Sequence, residues 1–193
     1  VSTDDITQAL HPIFKEDSLK KAKLIGQGLA ASPGAAVGEI VFEASVAIKK
    51  AKDGVKTILV RHETSPEDIE GMHYAEGVLT IRGGMTSHAA VVARGMGICC
   101  VSGCSNMDIA SDTLITSDGK TLHAGDIISI DGSTGNVYEG SLELESISNN
   151  TAINELLTMC DAIKNLGVRA NADTKKDMEI AKNFGAEGIG LVR

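Results

Sequence analysis

Short apolar runs that alternate with helix-like stretches set the strongest limit on what this chain can fold into. "VGEIVF" (37–42), "TILVRH" (57–62), "GVLTIR" (77–82) and "ICCVSG" (98–103) each have the length and β-branched content of a buried strand. Between the first two, "EASVAIKKAKDG" reads as a helix that stops at a glycine. Between the next two, "ETSPEDIEGMHYAEG" carries a helix start. Ser65 can cap it, Pro66 fits the first helical position, and Glu67 and Asp68 suit the positive end of the helix dipole. Further on, "TLITSDGKTLHA" reads as a hairpin turning on Asp118-Gly119, followed by the strand pair of "DIISIDGSTGNVYEG". Helices between strands early and strands alone later predict an α/β layered domain over residues 23–144.

The flanks differ. Residues 1–22 read as short helical pieces interrupted at His11-Pro12, forming an N-terminal helical linker. Residues 145–166 read as a linker helix with Leu156, Leu157, Cys160 and Ile163 along one side. Residues 167–193 read strand, helix, strand: "VRANAD", a helix capped by Thr174 or Asp173, then "GIGLVR". A lone βαβ unit cannot bury both faces of its strands, so this end reads as the start of a larger parallel sheet or barrel. Barrels of that type bind ligands at the carboxyl ends of their strands, where Asn171 and Arg193 fall. Val1 at the start is consistent with a cut N-terminus. Hinges are expected near residues 14–24 and 142–150, where sheet periodicity fades.

Composition removes several classes of function. A formal charge of -8 gives no electrostatic grip on nucleic acid or an anionic membrane. No apolar run approaches the roughly 20 residues needed to span a bilayer, and no signal peptide is seen, so an intracellular protein is expected. The 4 cysteines, Cys99, Cys100, Cys104 and Cys160, lack the spacing of a zinc site, so no metal is expected in this chain, and Cys99 and Cys100 fit a buried strand.

The chemistry concentrates in "GGMTSHAAVVARGMG" (83–97), where His88 falls in the first turn of a small-residue helix behind two glycines. A helix N-terminus offers unpaired N–H groups and a partial positive charge, which favour an anion such as a phosphoryl group. Gly83 and Gly84 let the backbone approach a bulky phosphate. Thr86 and Ser87 can cap the helix or hydrogen-bond to a phosphoryl oxygen or the ring, and Arg82, ending the preceding strand, can meet the phosphate. The set suits a histidine that is phosphorylated and hands the group on. A lone histidine at a helix start is also an ordinary neighbour of a cap. Arg94 reads as solvated or sheet-bridging, and His62 and His73 as surface residues.

The stretch 83–97 resembles the phosphohistidine signature of the phosphoenolpyruvate-utilising enzymes. "ASPGAAVGEIVF", "VRHETSPEDIEGMHYAEGVLTIRGG" and "CCVSGC" are similar to the same family, and "VRANADT" with "GAEGIGLVR" to the opening of its phosphoenolpyruvate/pyruvate barrel. Met85 and the Cys99-Cys100 pair resemble the dikinase branch. The synthase branch is the alternative, as is a non-catalytic docking module of the same fold.

The resemblance implies a swivelling phosphohistidine domain of layered β/β/α type, flanked by linker helices and the first βα(β) unit of a TIM-like barrel. It implies His88 as the nucleophile, phosphorylated on Nε2 at the expense of ATP and phosphate with release of AMP and pyrophosphate. The group then passes reversibly to pyruvate, giving phosphoenolpyruvate. Thr86 matches a regulatory phosphorylation site of plant-type members, and Arg193 an arginine that holds the substrate phosphate. Partners implied are an N-terminal ATP-binding domain, a C-terminal barrel and, for the whole enzyme, a second copy in a homodimer. Mg²⁺ is implied for the whole enzyme, with ligands outside this chain. The compartment implied is the cytoplasm, with plastid or glycosome as alternatives.

Overall fold

The structure, a computed structural model, describes residues 11–145, 151–183 and 185–190. It divides into two compact units, Val1–Asn149 and Asn150–Arg193.

The first unit begins with β1 (Ile13–Phe14), a short helix α1 (Glu16–Leu19), β2 (Leu24–Gln27), β3 (Leu29–Ser32) and β4 (Ala35–Val41). There follow α2 (Ala44–Lys52), β5 (Thr57–Arg61), a 3₁₀ turn at Pro66–Asp68 running into α3 (Ile69–Tyr74), β6 (Gly77–Thr80), α4 (His88–Met96) and β7 (Cys99–Ser102). The strand-rich half supplies β8 (Asp108–Ala110), β9 (Thr113–Ile115), β10 (Thr121–His123), β11 (Ile127–Asp131), β12 (Asn136–Glu139) and β13 (Leu144–Glu145). For residues 35–140 the elements read from the sequence occur in that order, and the structure adds β8 (Asp108–Ala110), which the sequence reading does not name.

Eight strands form one mixed sheet in the order β2-β12-β11-β4-β5-β6-β7-β3. Its centre, β4 to β7, is parallel, as the intervening helices require. The strands to either side are antiparallel. The parallel strands are buried on both faces. Along β5, Ile58 and Val60 join one core cluster with Ile40, Leu79, Val101, Ile128 and Ile130. Leu59, between them, joins a second cluster with Val78 of β6 and with Ala47, Met72, Ala89, Ala90 and Ala93 from the apolar faces of α2, α3 and α4. The three-stranded sheet β10-β9-β8 closes the first cluster with Leu114 and Leu122. A small sheet, a large sheet and a helical layer thus lie in succession.

Cys99 and Cys100 sit on β7 as expected, one facing each cluster. Burial raises all three thiols of this region, Cys100 and Cys104 to about 12 and Cys99 further, which keeps them protonated and inert at neutral pH. The edge strands β2 and β3 are joined through Gly28 alone. The free side of β2 is occupied: Ser117 N donates to Ile25 O (2.9 Å) and Gln27 N to Asn106 Oδ1 (3.3 Å).

The flanks of this unit depart from the sequence reading. Residues 13–14, expected in helical pieces, pair as a strand with β13, Ile13 opposite Glu145 and Phe14 opposite Leu144. Phe14 is buried with Ala35 and Leu142 and meets the Tyr138 ring edge-on. Lys15 pairs with Glu143 at 2.7 Å. The ranges 14–24 and 142–150 in which hinges are expected thus include paired backbone at Phe14 and at Leu144–Glu145; residues 146–150 lie outside the described residues. Two paired residues are too short for a strand periodicity to show in a sequence.

The second unit holds α5 (Thr151–Ile163), β14 (Arg169–Ala170), α6 (Lys175–Asn183) and β15 (Gly188–Ile189). The two strands are parallel, the strand-helix-strand unit expected. Thr174 is the cap of α6: its Oγ1 accepts from Asp177 N (3.2 Å) while its N–H donates to Asp177 Oδ2 (3.0 Å). Leu157 and Ile163 of α5 are exposed. Arg193 lies outside the described residues, and Asn171 directly follows β14.

One contact in the parallel sheet gives a paired expectation of opposite sign. A Cβ on Gly38 would come within 2.7 Å of the Thr57 backbone, and the buried Thr57 Oγ1 has no hydrogen-bond partner. Gly38→Ala should lower stability by about 1–3 kcal/mol through overpacking. Thr57→Val, which removes an orphaned hydroxyl at constant shape, should raise it by about 1 kcal/mol. Urea unfolding followed by circular dichroism checks both.

Candidate functional site

The carboxyl ends of β5, β6 and β7 converge beside the start of α4, which is where open parallel sheets bind ligands. His88 is the first residue of that helix, and Ser87 is its cap, with Oγ accepting from Ala90 N at 3.4 Å. Ala89, Ala90 and Ala93 are buried against the sheet, which fixes the helix close to it. The helix ends at Gly97 in the left-handed conformation.

His88 is half-buried, and its Nδ1 lies 2.9 Å from Thr64 Oγ1. That contact leaves Nε2 as the ring nitrogen free for chemistry. When Nε2 carries the lone pair, the ring proton sits on Nδ1 and donates to Thr64 Oγ1. The other described histidines are placed elsewhere. His62 lies 3.9 Å from Asp108, His123 lies 3.8 Å from Asp126, and His73 packs edge-on to Tyr74. His11 sits against Gly34.

A cavity of about 220 Å³ opens beside the ring, lined by Glu63, Thr64, Arg82, Gly83, Ser87, His88 and Ala89. Arg82 is exposed at its rim. Gly83 has φ +111°, and a Cβ there would come within 2.9 Å of Ser87, so only glycine fits without strain. Gly84 has open space where a side chain would project. Arg82, Gly83, Ser87 and His88 are therefore brought together. Thr86 is exposed and does not line the cavity.

Arg94 bridges, as its position on the helix suggests. One guanidinium nitrogen donates to Ala31 O of β3 (2.8 Å) and another to Met85 O (2.6 Å), tying the loop before His88 to the sheet. A larger cleft, about 790 Å³, lies away from this site between Lys15–Lys23 and Glu139–Glu143.

Three residues here escaped the sequence reading. Thr64 holds the ring, and Thr80 and Ser102, both fully buried, connect to the cap: Thr80 Oγ1 donates to Ser102 Oγ (3.1 Å), which lies 3.3 Å from Ser87 Oγ. The signal that finds them is position, since each stands at or just beyond the carboxyl end of a parallel strand. Among the described residues, no group of three or more His, Cys, Asp or Glu side chains is placed to hold a metal ion.

Residues 54–135, which include His88 and its whole cavity, match the family described as PEP-utilising enzyme, mobile domain. Over 100% of its length the chain is 50% identical to pyruvate, phosphate dikinase of Clostridium symbiosum, covering 22% of that protein. The corresponding protein of Rhizobium meliloti is 50% identical over 97% of the chain and 21% of the relative. Chloroplastic pyruvate, phosphate dikinase of Flaveria pringlei is 47% identical over 100% of the chain and 20% of the relative. The chain thus spans about a fifth of the length of these curated relatives. Among the described residues, no helix is long and apolar enough to cross a membrane.

The Thr64 contact predicts the tautomer. The neutral ring should carry its proton on Nδ1, and Thr64→Val, which removes the acceptor, should shift it toward Nε2–H. Long-range ¹H–¹⁵N correlation of His88 reads this directly; an Nε2–H ring in the unmodified chain would mean that Thr64 is the donor.

Proposed function

Because the chain carries the mobile domain of the PEP-utilising enzyme family, we propose that it is the phosphocarrier of a pyruvate, phosphate dikinase, with His88 Nε2 as the carrying atom. The observation that supports this most is the Nδ1 contact to Thr64, which leaves Nε2 available beside a small cavity lined by Arg82, Gly83 and Ser87.

In the first half of the transfer, the Nε2 lone pair forms a bond to phosphorus as the bond to the leaving oxygen breaks, and that oxygen keeps the electron pair. The Nδ1 proton remains on the ring, shared with Thr64 Oγ1. The phosphorylated ring is therefore an imidazolium, and when the group moves on, neutral imidazole departs with the N–P electrons. Thr64 thus serves both directions. The dianionic phosphoryl group lies at the N-terminus of α4, where the helix dipole favours it, with the Arg82 guanidinium at the rim. Gly84 leaves the approach of a second substrate unobstructed.

Over the whole cycle ATP, phosphate and pyruvate become AMP, pyrophosphate and phosphoenolpyruvate, reversibly. The phosphoryl group is received at an ATP-binding domain and delivered at a phosphoenolpyruvate/pyruvate barrel. Residues 167–193 are the opening of that barrel, with Arg193 as a phosphate-holding residue, and 145–166 link it to the carrier. The carrier takes in residues 23–144 together with the strand β1 that is paired onto it. Magnesium belongs to the sites that flank the carrier. The exposed Thr86, two residues before His88, is placed for control by phosphorylation.

Incubation of the chain with phosphoenolpyruvate, magnesium and the barrel of one of the relatives should add one phosphoryl group, located at His88 by peptide mass spectrometry, stable in alkali and lost in acid. His88→Ala should keep the same circular dichroism and take up none. Equal uptake by His88→Ala would sink the proposal, and an unfolded variant would make the histidine structural.

A further inference from the structure

We infer that Thr80 and Ser102 are positioning residues that polarise Ser87, so that the Ser87 hydroxyl presents its hydrogen, and not a lone pair, to a phosphoryl group on His88. The inference rests on the carrier reading, and it follows from counting protons in a sealed chain of hydroxyls.

Thr80 and Ser102 have no exposure to solvent, so each hydroxyl hydrogen needs an acceptor inside the protein. Thr80 Oγ1 accepts from Gly103 N at 3.4 Å and donates to Ser102 Oγ at 3.1 Å. Ser102 has then to place its own hydrogen, and Ser87 Oγ, at 3.3 Å, is the acceptor the structure offers. The reverse direction, Ser87 donating to Ser102, would leave the Ser102 hydrogen buried and unpaired, at a cost of about 1–3 kcal/mol. Ser87 Oγ therefore accepts twice, from Ser102 and from Ala90 N. Its remaining hydrogen has no partner among the described residues, and Ser87 lines the cavity shared with His88.

The chain starts at a backbone N–H, whose direction cannot reverse, and ends as a donor at the site. A preset donor aimed at developing charge needs no reorganisation during transfer. Gly83, whose place a Cβ could not take without approaching both Ser87 Cβ (2.9 Å) and Ser102 Oγ (3.1 Å), keeps the last link closed.

Ser102→Ala is the discriminating variant. It removes the donor to Ser87 Oγ and leaves the Ser87 hydroxyl, His88 and the lining of the cavity in place. The small-molecule donor phosphoramidate probes it on the chain alone: the Nε2–P bond forms as the donor's P–N bond breaks and ammonia leaves. Relative to the unmodified chain, Ser102→Ala should slow phosphorylation of His88 about threefold to tenfold, and Ser87→Ala at least as much, in line with loss of a hydrogen bond to a charged group. Ser102→Thr, which keeps a hydroxyl, should react faster than Ser102→Ala, and Ser102→Ala should add nothing on the Ser87→Ala background.

A folded Ser102→Ala chain that reacts at the unmodified rate, or effects that multiply, would overturn the inference. Failure of the unmodified His88 to accept phosphate would instead count against the carrier reading. The hydroxyl chain is then decided by NMR: a slowly exchanging Ser102 hydroxyl proton with a cross-peak to the Ser87 β-protons supports it, and absence of that cross-peak overturns it.

Discussion

A strand that is apolar on both faces has no room for chemistry along its length. β5, β6 and β7 contribute side chains to two separate cores, so their polar groups are displaced to their ends. At the carboxyl ends stand Arg61, Thr80 and Ser102, followed by loops that hold Thr64, Arg82 and the Gly83–Ser87 turn. The site is thus a consequence of the double burial. His88 is held by the small residues behind it, Ala89, Ala90 and Ala93, which let the helix lie close on the sheet. Larger side chains there would lift the imidazole away from Thr64.

Much of this was legible in the residues. Apart from the three-residue β8, strand and helix order from residue 35 to 140 follows from apolar run length, glycine stops and the Ser65-Pro66 start, because each signal is local. His88 at a capped helix start was legible for the same reason. Thr64, Thr80 and Ser102 were not. A threonine or serine in a strand carries no mark of whether its hydroxyl faces a core, a neighbour or water, and their contacts to Ser87 and His88 span 15 to 24 residues. β1 and β13 lie 128 residues apart where Lys15 meets Glu143, and two-residue strands have no period to read. Arg94 sits between these extremes. The helical angle excluded it from the ring's face, while its two carbonyl partners needed the tertiary fold.

The pairing of β1 with β13 bears on the proposed carrier cycle. The two margins of the first unit's described residues lie together, held by Phe14 in a small core of its own and by the Lys15–Glu143 pair. A body whose margins are fastened together could turn as one piece, with no loosening of the sheet that carries the histidine.

A β-sheet's open margins are its weak point wherever they meet solvent. Here both margins are spoken for. Ser117 and Asn106 engage the backbone of β2, and Arg94 takes the carbonyl of Ala31 on β3. The same arginine that steadies the loop before His88 thus blunts the template on which a foreign strand would add. Loss of Arg94 would therefore release two things at once, the loop before His88 and the margin of the sheet beside it.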